Sequence, residues 1–149
     1  MSMLSVERTS PAALADCLAE LIVESEQHGL RFVRRLADEW ASGANRFDRD
    51  GEALFVARSA GDIVGVCGLN VDPYATGPDV GRVRHLYVLR SHRHRGVGER
   101  LVMAIVQAAR GRFRRLRLRT QNPEAARLYE RLGFRTAVDA ADCTHVMEL

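Results

Sequence analysis

From Gly81 onward, β-rich and helical segments alternate, and this alternation constrains the fold more than any other feature of the chain. "GRVRHLYVL" (81–89) reads as a strand. After it comes a helix opened by the glycines of "RHRGVGERL", with Val97, Leu101, Ala104, Ile105 and Ala108 at helical spacing. "RRLRLRT" (114–120) is a strand with Leu116 and Leu118 on one face and arginines on the other. "NPEAARLYERLG" (122–133) is a well-punctuated helix: Asn122 suits the N-cap, Pro123 the first turn, Glu124 the positive helix end and Gly133 the C′ stop. "FRTAV" and "THVMEL" close the chain as two short strands. Tight hairpins cannot join parallel neighbours, so strand–helix–strand–helix–strand implies right-handed crossovers within one mixed sheet.

Upstream, Leu14, Leu18, Leu21 and Ile22 predict a helix over Pro11 to Ser25, with Ser10 as N-cap and Pro11 at its first position. A second helix, Leu30 to Ser42, puts Phe32, Val33, Leu36 and Trp40 on one side. The polar loop "NRFDRDGE" leads to "ALFVARS" and "DIVGVCGLNVD", joined by a tight turn around Gly61. "DPYATGPD" is a longer loop before the strand at Gly81. The expected order is helix, helix, three strands, helix, strand, helix, two strands: one α/β or α+β domain over 1–149.

No apolar run reaches the roughly 18 residues of a membrane span. "MSMLSVERTSPAAL" has no basic region followed by an apolar one, so a cytoplasmic location and no membrane partner are expected. Cys17, Cys67 and Cys143 are odd in number and scattered, which suits reduced, buried thiols rather than disulfides or a metal site. All 22 basic residues are arginine, and 15 of them fall at or after Arg82. A basic half points to a polyanion, either nucleic acid or a phosphorylated cofactor. "RGRFRRLRLR" (110–119) alternates as an amphipathic strand and matches no nucleic-acid motif, so no nucleic-acid partner is expected.

Glycine is costly inside a helix, yet Gly96 and Gly98 stand at the mouth of one. The first N–H groups of a helix are unpaired and its dipole is positive there, so a phosphate can bind if the backbone comes close. Glycine permits that approach and supplies φ > 0, and Arg93 and Arg95 add charge at the rim. The alternative is a sharp strand exit with solvated arginines. The spacing is neither the Walker pattern nor the dinucleotide fingerprint. Arg93, Gly96 and Gly98 do match R/Q-x-x-G-x-G/A, a signature of the GCN5-related N-acetyltransferase superfamily. "HLYVLRSHRHRGVGERLV" resembles that family's fourth strand and pyrophosphate loop, and "LRLRTQNPEAARLYERLGF" its fifth strand and following helix.

The resemblance implies a mixed, mainly antiparallel sheet of six to seven strands flanked by about four helices. It implies acetyl-CoA as cosubstrate, an amine acceptor, and direct attack of the amine on the thioester. On matching positions, backbone groups of Leu86, Tyr87 and Val88 would meet the pantetheine, with one N–H polarising the thioester carbonyl. N–H groups from Arg93, His94, Arg95, Gly96, Val97, Gly98 and Glu99 would hold the pyrophosphate. Asn122 would face the arm. Tyr129, two helical turns on and thus on the same face, would protonate the leaving sulfur, or else simply pack on the helix edge.

Where the family often carries a carboxylate or histidine on the fourth strand, this chain has Arg82 and Arg84. His85 is the candidate base, but it alternates to the opposite face unless a bulge re-aims it; a structural hydrogen bond is the alternative. Glu24, Glu26 and Glu39 are candidates for receiving a cationic amine, solvation being the bland alternative. Arg82 and Arg84 would instead favour an acceptor bearing a carboxylate or phosphate. The missing carboxylate also keeps open a catalytically weak acyl-CoA sensor of the same fold. "THVMEL" is read as an exposed edge through which a homodimer could pair.

Overall fold

The computed structural model describes residues 4–9, 14–138 and 140–149. In chain order its elements are β1 (Leu4–Arg8), α1 (Leu14–Cys17), α2 (Ala19–Gln27), α3 (Phe32–Ser42), β2 (Ala53–Ser59), β3 (Asp62–Val71), β4 (Val80–Val88), α4 (Val97–Ala109), β5 (Arg115–Leu118), α5 (Pro123–Arg131), β6 (Arg135–Thr136) and β7 (His145–Glu148). The strands form one sheet in the order β1-β2-β3-β4-β5-β7-β6. β4 and β5 are parallel neighbours, and the remaining neighbours are antiparallel, which is the mixed sheet the resemblance implies.

The fold departs from the sequence expectation in several places. A strand, β1, precedes the helices and pairs with β2; its short "LSVER" pattern is only partly buried, which weakens its signal. The first helix breaks at Leu18 and runs on to Gln27, while Ser10 and Pro11 lie outside the described residues. "THVMEL" is not the outermost strand: β7 sits between β5 and β6, and β6 pairs with His145 and Val146 on its outer side. Cys67 and Cys143 are buried free thiols, whereas Cys17 is exposed. Among the described residues no helix is long and apolar enough to cross a membrane.

Both faces of the sheet are covered. A Cβ built on Gly65 would meet Leu101 and Val97 of α4, whereas one on Gly68 would meet Phe47, 2.5 Å away, beside Trp40 of α3. Residues three apart on a strand face opposite ways, so α4 lies on one side and α3 with Phe47 on the other. Leu101, Ile105, Leu116 and Leu69 are fully buried in the core between sheet and helix, and Leu18, Leu21 and Leu36 are fully buried within the first three helices.

The site depends on how β4 and β5 meet. They pair over only three registers, Val80 with Arg115, Gly81 with Leu116 and Arg82 with Arg117. The last pair sets two arginines opposite each other, an arrangement that like charges disfavour. Asp72, whose side chain is fully buried, lies between them, 3.6 Å from Arg82 Nη1 and 3.3 Å from Arg117 Nη1. Arg117 also pairs with Asp142, and Arg82 donates to the Asp142 carbonyl at 2.7 Å while covering the Tyr74 ring. Beyond this cluster the strands part. Asp72→Asn would leave the buried Arg82 guanidinium without its carboxylate, and breaking such a pair costs about 3–5 kcal/mol. The urea midpoint is expected to fall accordingly; an unchanged midpoint would show that the strands do not need the carboxylate.

Candidate active site

Where β4 and β5 separate, a cleft of about 1300 Å³ runs through the sheet plane. Its floor is the edge of β4 from Val83 to Val88, which has no strand beside it. The loop before α4 and the first turns of α5 line one end. Phe32 and Arg35 of α3, with Tyr74, line the other.

At the α4 end the backbone makes a concave nest. A short 3₁₀ turn at Arg90–His92 is followed by His94 at φ +62° and Gly96 at φ +80°. No side chain caps α4, so its first N–H groups face the opening. The two glycines have separate jobs. Gly96 supplies the left-handed conformation, and a Cβ there would meet open space. Gly98 is a packing position: a Cβ there would sit 3.2 Å from Leu128 of α5, so Gly98 sets how closely the two helices approach.

The loop is held from behind. Arg93 Nε donates to the Val88 carbonyl at 2.8 Å, and its guanidinium lies over the Tyr87 ring. The Tyr87 hydroxyl donates to Glu24 Oε1 at 2.7 Å, and the Arg90 N–H donates to the same oxygen at 2.9 Å. Burial pushes the Glu24 carboxyl up, but the Tyr87 hydroxyl, the Arg90 N–H and Arg93 outweigh it and hold the group below its ordinary range. Burial and Glu24 push the Tyr87 phenol up to about 12. Glu24 is thus a tether from α2, and neither it, Glu26 nor Glu39 lines the cleft; Glu26 is an exposed partner of Arg34.

Of the residues the resemblance assigns to the cosubstrate, Leu86, Tyr87, Val88, Arg93, His94, Gly96, Val97, Gly98, Glu99, Asn122 and Tyr129 line the cleft. Arg95 does not; its side chain is exposed away from it. The loop alternates conformations at His94 and Gly96, which turns Arg95 outward. Asn122 Oδ1 caps α5, accepting from the Glu124 and Ala125 N–H groups at 2.9 and 3.4 Å. Its amide nitrogen is the group left to face the cleft. Tyr129 is buried against Phe134, edge to face at 5.5 Å, and burial pushes its phenol well above the ordinary value. It therefore stays protonated. Cys67, whose charge would act on Tyr129, is pushed up to about 12 by burial and stays a thiol.

A bulge interrupts simple alternation at His85. Gly68 pairs with Arg84 and Val66 with Tyr87, so His85 and Leu86 together oppose Cys67. His85 takes φ +61° and turns its ring toward Phe32 and Phe47, onto the face where Arg84 reaches Asn70. Burial, Arg84 and Arg35 lower its pKa to about 3, against a weak opposing hydrogen bond to the Phe32 backbone. Nε2 is buried without a partner. A base so weak cannot hold a proton taken from an ammonium, but it can accept a hydrogen bond. Arg82, expected beside the thioester, is consumed by Asp72 and Asp142. Sequence reasoning missed Arg35, one helical turn from Phe32, because no motif marks it. Thr120 was missed likewise; it also lines the cleft, held by Thr144.

Residues 17–134 match the model of the acetyltransferase (GNAT) family. An acetyltransferase-like structure from Exiguobacterium sp. 255-15 is 28% identical, with a TM-score of 0.85 over 98% of this chain and 93% of that one. A GCN5-related N-acetyltransferase from Kribbella flavida is 22% identical, with a TM-score of 0.74 over 98% of each chain. A Salmonella typhimurium structure solved with acetyl-CoA is 19% identical, with a TM-score of 0.70 over 98% of this chain and 94% of that one.

His85 makes an acid-side prediction. The unfolded chain protonates this imidazole near pH 6.5 and the folded chain only near 3, so its stabilising contribution is present above 6.5 and is lost as pH falls toward 3. Over that window the urea midpoint of the wild-type protein is expected to fall more steeply than that of His85→Gln. Parallel curves would mean that the surroundings do not keep the ring neutral.

Proposed function

The chain belongs to the acetyltransferase (GNAT) family, and from that premise we propose that it moves the acetyl group of acetyl-CoA directly onto a primary amine of a small molecule or peptide. The observation that carries this is the uncapped nest at Gly96 facing an unpaired run of β4 backbone. The first suits a pyrophosphate and the second an extended amide-bearing arm, so the residues present fit the cosubstrate.

In this reading the N–H groups between Arg93 and Glu99 donate to the pyrophosphate oxygens, while Glu24 and Arg93 keep the loop in shape. Backbone groups of Leu86, Tyr87 and Val88 take the pantetheine as an added strand, and the Asn122 amide faces it. A backbone N–H of this segment would polarise the thioester carbonyl, where charge develops. Acetyl-CoA supplies the activated carbonyl. The amine nitrogen forms the new C–N bond as the C–S bond breaks, and the Tyr129 hydroxyl gives its proton to the sulfur. The attacked nitrogen then carries an excess proton of high acidity, which replaces the one Tyr129 gave. Net, one proton moves from nitrogen to sulfur.

Two measurements test this. Calorimetric titration is expected to show tight binding of acetyl-CoA that collapses for bare pantetheine, with 3′-dephospho-CoA in between; no binding would overturn the proposal. Tyr129→Phe is expected to lower kcat by about 10²-fold, the scale of one positioned acid, while leaving the Kd for acetyl-CoA unchanged. An unaltered kcat would remove Tyr129 from the chemistry.

A further inference from the structure

We infer that Arg35 and Arg84, on either side of His85, form an anion subsite at the acceptor end of the cleft, and that the acetylated amine carries a carboxylate or phosphate a few bonds from its nitrogen. This rests on the acetyltransferase reading and specifies its acceptor.

Placement is the first argument. Arg84 comes from β4 and Arg35 from α3; both line the cleft, and both charges act on His85, so they converge there. Arg84 reaches Asn70, which bonds Asn45 in the segment after α3. This is the α3 face of the sheet, opposite the face where α4 and the nest lie. A pyrophosphate in the nest leaves these two cations unanswered.

Charge pairing is the second. Arg34, Arg58, Arg82, Arg114, Arg115 and Arg117 each reach a carboxylate. Among the described residues no carboxylate lies within ion-pair distance of Arg35 or Arg84. Arg84 has one side-chain hydrogen bond, to Asn70 Oδ1 at 3.5 Å, the outer limit of such a contact. Two guanidinium forks therefore keep donors suited to a planar or tetrahedral anion.

His85 is the third. Its ring is bonded to the Phe32 backbone while Nε2 is buried and unpartnered. In a neutral imidazole one nitrogen donates and the other accepts, so Nε2 is an unmet acceptor beside the two guanidiniums. Two cations and one neutral acceptor match a molecule with an anion at one point and an amine at the next. The carboxylates that line the cleft, Glu99 and Glu124, belong to the first turns of α4 and α5 at the other end. A polycationic acceptor has nothing here to pair with.

The test compares matched amines with the acetyl-CoA-loaded protein: L-phenylalanine against L-phenylalaninamide, O-phosphoethanolamine against ethanolamine, and spermidine. An anionic member is expected to exceed its neutral partner by about 10- to 100-fold in kcat/KM, as charged hydrogen bonds warrant, and the two pairs distinguish carboxylate from phosphate. Arg84→Gln or Arg35→Gln should abolish that preference through KM with the acetyl-CoA Kd unchanged; Arg35→Gln, at an exposed position, serves if Arg84→Gln does not fold. Equal or better use of the neutral amines or spermidine overturns the subsite, as does a preference that survives both substitutions. Acetyl-CoA binding with no anionic probe bound or acetylated also overturns the subsite and leaves the transferase reading standing. Failure of acetyl-CoA to bind overturns the reading beneath it.

Discussion

Asp72 holds together the last point at which β4 and β5 are paired, and the site opens from there. Arg82, buried, and Arg117, half-buried, face each other across the parallel ladder, and Asp72 supplies an anion to both. A single carboxylate placed between them makes the juncture stable. Asp142 adds a second tie from the segment leading to β7. Because the clamp sits at the third register and nothing pairs β4 beyond it on that side, the cleft has a fixed apex and an open mouth.

In the reading proposed above, the two ends of the cleft would recognise charge by different means. At the α4 end the donors are backbone N–H groups in a nest formed by left-handed residues, and the side chains around it serve mainly to hold the loop: Arg93 to Val88, Tyr87 and Arg90 to Glu24. At the α3 end the donors are side chains, set around a strained histidine at a bulge. Backbone donors suit a group common to every turnover. Side-chain donors can differ from one chain to the next without altering the fold, which is why the proposal assigns acceptor choice to them.

Much of this was legible in the residues. β2 begins and ends where "ALFVARS" does, and Asn122, Pro123 and Gly133 mark the ends of α5 because each has a local role that needs no distant partner. The nest was legible for the same reason: Gly96 needs its own φ and nothing else. Positions that depend on a remote partner were not. Arg82 looked like a free cation until Asp72 and Asp142 arrived from other strands. Glu24 looked like an acceptor-site acid, yet Tyr87 and Arg90, more than 60 residues away, take both its bonds. Gly98 looked like a phosphate-loop glycine and is where Leu128 packs. The end strand looked like an edge, and the route of α5 put β6 outside it.

By itself, then, the sequence determined the kind and order of most elements, the glycine-bearing loop before α4 and the family, because periodicity, caps and turn residues act over a few bonds. Only the tertiary structure decided which charges are free. An arginine's availability is set by whichever carboxylates fold within about 4 Å of it, the reach of an ion pair, and that proximity is a property of packing. Arg82 and Arg84, two residues apart on one strand, end up with opposite fates: one is buried in a clamp, the other left open at the mouth of the cleft.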